Sequence, residues 1–181
     1  MISLDPIQVA KATHCNKANV LTNWPIIQAE LLKHEPVSEE YLIAVAATVA
    51  VETAWQFAPI NEFGNKSYFT KRYEGRADLG NTYPGDGYKF HGRGFIQITG
   101  RANYYHYGKK LDLDLTGNPD LALDAVNSAK ILAEYCIEHD INVIAKKRNW
   151  MRVRKVVNGG LNGWEAFSHC VKDLGGEIKL A

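Results

Sequence analysis

The sequence predicts a mainly α-helical fold with a helical core lobe and a loop-rich lobe, and three observations carry that prediction. Residues 41–51 form the longest apolar run, bounded by Glu40 and Glu52; it suits a buried helix and falls short of the about 20 residues that cross a bilayer. Helical spacing resumes over residues 101–109, 124–138, 141–147, 151–157 and 164–174. Between Trp55 and Gly100 the periodicity disappears, and Gly64, Gly75, Gly80, Gly85, Gly87, Gly92 and Gly94 punctuate the chain.

Taken in order, Asp5 followed by Pro6 marks the first helix start, with Ile7, Val9 and Ala10 as its short apolar face. Asn23-Trp24-Pro25 opens a second, which Ile26, Ile27, Ala29, Leu31 and Leu32 carry toward Pro36. Ser38 caps a third and places Glu39 and Glu40 in the first turn, where the helix dipole favours acids. That helix is apolar on nearly every face, which makes residues 38–54 the centre of the core. A stretch as long as 55–100 without regular structure is uncommon in a compact domain and more often functional than decorative. Within it, residues 95–99 read as a short strand. Gly175-Gly176 stops the last helix. With no repeat, low-complexity tract or linker, residues 1–181 read as a single domain.

Composition narrows the function classes. The chain of 181 residues carries 21 Lys and Arg against 20 Asp and Glu, a net charge of +1 that gives no global drive toward nucleic acid or acidic membranes. Cys15, Cys136 and Cys170 are odd in number and widely spaced, which argues for reduced, buried thiols rather than a disulfide framework or a zinc site. Asp5 and Pro6 stand where a secretory leader would be basic and then apolar, so the expectation is a protein made without a cleaved signal in a host cytoplasm. Neither Gly85-Asp86-Gly87 nor Gly92-Arg93-Gly94 completes a nucleotide-binding glycine loop. The stretch from Asp112 to Gly117 begins like a calcium loop but has Leu123 where a bidentate glutamate is required. No H-E-x-x-H occurs, and His91 and His106 read as polar groups at the surface or behind a site, so neither metal nor cofactor is expected.

Carboxylates set against apolar surroundings are the informative feature. Glu52 ends the apolar helix, where a carboxyl is partly withdrawn from water, and desolvation strengthens proton binding in the way a general acid requires. It is equally readable as the first exposed residue after a core helix. Glu62 lies ten residues on, in a polar loop with Asn61, Asn65 and Lys66. Two carboxyls in unlike environments are what acid and base roles in glycoside hydrolysis need. Glu74, between Arg72 and Arg76, reads as a salt-bridged loop anchor and is the alternative base.

The stretch Phe90-His91-Gly92-Arg93-Gly94-Phe95-Ile96-Gln97-Ile98-Thr99 resembles the Gly-Arg-Gly signature of glycoside hydrolase family 19, the chitinases and related phage endolysins. The resemblance extends in order through Ala50-Val51-Glu52-Thr53, the loop 61–65, Asn118-Pro119-Asp120-Leu121 and the Asn158-Gly159-Gly160 segment, about residues 40–165. Tyr73-Glu74-Gly75-Arg76, Leu79-Gly80-Asn81 and Pro84-Gly85-Asp86-Gly87 are more like the endolysin branch. It implies a lysozyme-like helical domain with a substrate cleft between its lobes. It also implies Glu52 as general acid, Glu62 as general base, Thr99 holding the attacking water, and Gln97, Asn103, Tyr104 and Asn158 lining the sugar cleft. The chain departs from the family pattern in two places. Ala54-Trp55 stands where many members have Gly-Gly, which implies a narrower cleft entrance; and no arginine follows the Asn158-Gly159-Gly160 segment to orient the acid.

The expectation is therefore an endolysin, a monomer that hydrolyses the glycan strands of bacterial peptidoglycan by an inverting two-carboxylate mechanism. The alternatives are a chitinase acting on poly-N-acetylglucosamine and a non-catalytic glycan-binding module. Lys146, Lys147, Arg148, Arg152, Arg154 and Lys155 fall within residues 146–155 with no acid among them. This cluster fits two readings, a weak contact with an anionic envelope or a solvated helix face.

Overall fold

The computed structural model describes residues 2–34 and 37–178. Its elements run α1 (Pro6–Thr13), α2 (Lys17–Leu31), α3 (Glu39–Glu52), β1 (Ile60–Asn61), α4 (Lys66–Tyr73), α5 (Asp86–Lys89), β2 (Arg93–Gly94), α6 (Arg101–Leu111), α7 (Ala125–Glu138), α8 (Ile141–Lys146), α9 (Trp150–Asn158) and α10 (Trp164–Asp173). The protein is mainly α-helical, as the sequence predicts. Among the described residues no helix is long and apolar enough to cross a membrane. The chain groups into two compact units, one made of residues up to Ala58 and from Leu132 on, the other of Pro59–Ile131.

The first unit is organised by α3. Ser38 Oγ accepts from the Tyr41 N–H at 3.1 Å, a cap that contributes about 1 kcal/mol. Every residue from Tyr41 to Ala50 is buried. A helix with no exposed face needs partners on all sides, and α1, α8, α9 and α10 pack around it. The starts of α1 and α3 fall where the sequence puts them, with Asp5 capping α1 through the Ile7 and Gln8 N–H groups.

The second helix is different from expectation. It begins at Lys17, capped by Asn16, and runs through Pro25. Asn23-Trp24-Pro25 resembles a helix start, but Asn23 and Trp24 are buried and belong to the interior of the unit. The expected end at Pro36 lies outside the described residues. Asn16 N–H, Asn19 Nδ2 and Asn23 Nδ2, at successive turns of one helix face, donate to the carbonyls of Trp55, Gln56 and Phe57 at 3.1, 2.8 and 2.8 Å. That ladder fixes the chain as it leaves α3.

The second unit is where regular structure was under-read. The region 55–100 holds α4, whose two buried anchors Phe69 and Tyr73 in eight residues are too few to register as a period, and α5, only four residues long. β1 pairs antiparallel with β2, Ile60 opposite Gly94 and Asn61 opposite Arg93. The expected strand at 95–99 is instead a turn, because Gly94 and Gln97 have φ of 88° and 53° and the chain folds back to bond Ile98 to Arg93. Cys15, Cys136 and Cys170 are free and buried as expected. Burial pushes the Cys136 and Cys170 thiols up to about 12, which leaves them unreactive.

Replacing Asn23 by Ala leaves the buried Phe57 carbonyl without its donor. Stability is expected to fall by about 1–3 kcal/mol in chemical denaturation; an unchanged midpoint would show that the ladder does not carry the turn after α3.

Candidate active site

In the first unit, Glu52 is the last residue of α3 and its side chain is 17% exposed. Its Oε1 accepts from Arg154 Nη1 at 2.6 Å, and the Arg154 side chain is 4% exposed. The sequence sets Glu52 at the end of an apolar helix; the structure adds a guanidinium to that environment. Arg154 in turn donates through Nε to the Asn162 carbonyl at 2.7 Å, which Asn158 Nδ2 also reaches at 3.0 Å. The turn 158–163 is therefore stapled to α9 by the same arginine that grips Glu52. Gly163 makes room for it: with φ of 72°, a Cβ there would lie 3.0 Å from Arg154 Nη2 and 3.1 Å from Val51 Cγ1.

Two sequence expectations are corrected here. The missing arginine after the Asn158-Gly159-Gly160 segment is supplied from before it, by Arg154. The basic cluster at 146–155 also loses that member, because burial and an ion pair remove Arg154 from any surface. Arg148 is paired with Glu40 and Glu177. The signal for Arg154 was present: it shares the i, i+3, i+4, i+7 face of Trp150, Val153 and Val157, the apolar stripe of α9.

In the second unit, Glu62 follows β1 and is half-buried. Its Oε1 accepts from the Tyr73 hydroxyl at 2.7 Å and its Oε2 from the Gly92 N–H at 3.1 Å, while its own N–H donates to the Gly92 carbonyl at 2.8 Å. A Cβ at position 92 would lie 2.9 Å from Gln97 Oε1 and 3.2 Å from Glu62 Oε2. Tyr73 is held by Arg72 Nε at 3.0 Å. Burial and the bond to Glu62 push the Tyr73 phenol up to about 12, so it remains a donor across the neutral range.

Gly92-Arg93-Gly94 thus has a physical reason at each position. Arg93 is buried, donating to Asp120 at 2.9 Å, to the Lys89 and His91 carbonyls at 3.0 and 3.3 Å and to the Tyr104 hydroxyl at 3.0 Å. Gly94 lets Ser128 Oγ approach and accept from the Phe95 N–H at 2.8 Å. His91, read as a surface or supporting group, is buried and bridges the Tyr88 carbonyl and Asn61, and burial holds its imidazole below the usual range.

The remaining expected residues fall as follows. Thr99 Oγ1 donates to the Gln97 carbonyl at 3.1 Å, and Gln97 Nε2 donates to the Ile60 and Gly94 carbonyls at 2.9 and 2.8 Å. Asn103 is exposed and its Nδ2 donates to the Thr99 carbonyl at 2.8 Å. Tyr104 is 0% exposed and its hydroxyl donates to the His91 carbonyl at 2.7 Å, so its side chain supports the turn from behind. Glu74 anchors a loop, but not through arginine: its oxygens accept from the Gly85 and Gly87 N–H groups at 2.6 and 2.8 Å. Arg76 pairs with Asp78 instead. Glu62, Gln97, Thr99 and Asn103 therefore belong to one hydrogen-bonded neighbourhood in the second unit, and Glu52 and Asn158 to one in the first. Among the described residues no group of three or more His, Cys, Asp or Glu is arranged to hold a metal.

No family model matches the chain. A glycosyl hydrolase family 19 domain-containing protein of Haemophilus influenzae is 38% identical over 98 residues, 50% of this chain and 44% of that protein. Chitinase 8 of Oryza sativa subsp. japonica is 57% identical over 42 residues, 23% of this chain and 16% of its own. The chain spans less than half the length of these curated relatives. Among solved structures, a bacterial family 19 chitinase superposes with a TM-score of 0.73 at 17% identity, covering 98% of this chain and 97% of that one. Chitinase C from Streptomyces griseus superposes with a TM-score of 0.68 at 20% identity, covering 98% and 78%.

Truncating Arg154 to Ala is expected to cost about 3–5 kcal/mol, since it leaves the partly buried Glu52 carboxylate unpaired. Arg154→Lys should keep more of the fold, a difference that denaturation midpoints of the two variants will read. A second expectation concerns alkaline pH. The Tyr73 phenol titrates at about 12 when folded against about 10 when unfolded, so its contribution to stability is complete below about pH 10 and is lost as pH rises through about 12. Tyr73→Phe should flatten the fall in stability across that window; an unchanged slope would remove Tyr73 as its source.

Proposed function

We propose that this chain, which resembles glycoside hydrolase family 19 in sequence and shares the fold of its chitinases, hydrolyses a glycan of acetamido sugars with Glu52 and Glu62 as its two working carboxyls. The observation that carries this reading is that each glutamate is held by its own dedicated set of donors. Glu52 Oε1 takes the Arg154 guanidinium, while Oε2 accepts no hydrogen bond among the described residues and is left for a substrate oxygen. Glu62 is held from both sides by neutral donors, the Tyr73 hydroxyl and the Gly92 N–H, and each oxygen keeps a lone pair for a water. An acid and a base fixed in unlike surroundings meet the chemical need of an inverting glycosidase. Thr99, whose proton is committed to the Gln97 carbonyl, offers oxygen lone pairs that can orient such a water.

Bacterial peptidoglycan is the proposed substrate. The support is the endolysin-like run from Tyr73 to Gly87, here the loop that Glu74 pins through Gly85 and Gly87. Chitin is the second reading, favoured by the chitinase names among the relatives.

Glu52→Gln keeps shape and hydrogen bonding to Arg154 but removes the transferable proton, so activity should fall by about 10² to 10⁴-fold while folding survives. Glu62→Gln should lose a comparable factor and Thr99→Ala less. Glu74→Gln should lower the thermal midpoint more than the rate. Mass spectrometry of digested muropeptides, run beside release of soluble chito-oligomers, assigns substrate and bond. A fully active Glu52→Gln protein would sink the mechanism, and an inactive, folded Glu74→Gln beside an active Glu62→Gln would move the base to Glu74.

A further inference from the structure

Immediately after Glu52 the backbone does something costly. Ala54, Trp55 and Phe57 have φ of 47°, 67° and 52°, the left-handed region that side chains other than glycine avoid. Such strain persists only where surrounding contacts over-determine it. Here the Trp55 N–H donates to the Ala50 carbonyl at 2.9 Å, and the Asn16, Asn19 and Asn23 ladder holds the next three carbonyls. The product of that strain is a large aromatic ring left 40% exposed. By contrast Trp24 and Trp150 are 0% and 2% exposed, with their indole N–H groups committed to the Leu4 and Glu177 carbonyls.

Trp55 borders a cavity of about 580 Å³ within the first unit, between the end of α1 and one face of α10. Ala166 and Ala12 supply small apolar surface, and His14, Glu165, His169 and Asp173 supply polar groups around it. No hydrogen bond or ion pair among the described residues uses the Glu165 carboxylate or the His169 imidazole, both of which are exposed. An aromatic face beside small apolar side chains and a few convergent acceptors and donors is the composition of a small-ligand site, and the volume lies in the usual range.

We propose that this cavity is an accessory binding site for one neutral acetamido-hexose residue of the glycan, stacked on the Trp55 indole. The ring's electron-rich face suits the C–H face of a pyranose, the carboxylates and imidazoles suit its hydroxyls, and the alanines leave room for the acetamido methyl. Two carboxylates line the cavity and no lysine or arginine does, so it disfavours a sugar that carries a free carboxylate and selects N-acetylglucosamine. The proposal rests on the glycan reading above for its ligand, but it concerns binding and not the two glutamates.

The test uses the Glu52→Gln protein, so that ligand is not turned over, with N-acetylglucosamine tetramer as probe. Of the four indole N–H resonances, the Trp55 signal, identified by its absence in Trp55→Gly, is expected to shift on titration. Trp55→Gly should weaken this binding by roughly tenfold or more and keep or raise the thermal midpoint, because glycine accepts the backbone conformation without strain. Trp55→Phe should retain most of the affinity. Ala166→Phe, which fills the cavity and leaves Trp55 in place, should abolish the shift, and it decides the matter if Trp55→Gly fails to fold. A Trp55 signal that stays put, or tetramer affinity unchanged in Ala166→Phe, overturns the inference even if the wild-type chain hydrolyses glycan. So does Trp55-dependent binding of a lysine-bearing stem peptide in place of the sugar. Trp55-dependent sugar binding by a chain that cleaves neither peptidoglycan nor chitin overturns the catalytic reading and leaves this one standing.

Discussion

A carboxylate at the end of a helix with no exposed face must be given a partner, and much of the first unit follows from that constraint. The burial of Tyr41 through Ala50 leaves Glu52 only 17% exposed, and a charge so placed is costly unless it is paired. Arg154 reaches it only because α9 turns its apolar stripe inward and carries the guanidinium along on the same face. The arginine has donors to spare, and Nε goes to the Asn162 carbonyl. The turn after α9 must then pass close by, which position 163 permits by having no side chain. A helix core, an ion pair and a glycine turn are thus one arrangement, not three features.

The second unit solves a similar problem with neutral groups. Glu62 is held by a phenol and a backbone amide, and the amide belongs to the residue that precedes Arg93. Arg93 spends its donors on the Lys89 and His91 carbonyls, the Tyr104 hydroxyl and Asp120. The turn it braces carries Gln97 and Thr99, so the groups around Glu62 are fixed by backbone bonds more than by packing. One glutamate is tied to a permanent cation and the other to neutral donors, each within its own unit.

At Ala54 and Trp55 backbone strain and exposure coincide. The chain leaves α3 through left-handed backbone at Ala54 and Trp55, and the asparagines of α2 secure it. Glycine would be the low-energy choice at both positions. An exposed indole therefore stands where glycine would cost least.

The sequence by itself determined the helical class, the caps at Asp5 and Ser38, the buried helix between Glu40 and Glu52, and the later helices to within a residue or two. These are local or periodic properties, set by side-chain spacing and by the need to satisfy free N–H groups at a helix start. It also singled out Glu52, Glu62, Gln97, Thr99, Asn103, Tyr104 and Asn158 as candidates, because a motif preserves order along the chain. It misread Asn23-Trp24-Pro25 as a start, where bonds to Phe57 and Leu4 hold the segment in the interior, and residues 95–99 as a strand, where positive φ at Gly94 and Gln97 folds the chain into a turn. Only the tertiary structure decided what each glutamate touches. Arg154 is 102 residues from Glu52, and Gly92 is 30 from Glu62; no local period links such pairs. The same reason buried Tyr104, withdrew Arg154 from a basic surface and turned Glu74 toward backbone amides: a side chain's partner is fixed by where the packed helices and turns bring the chain together, not by its neighbours in sequence.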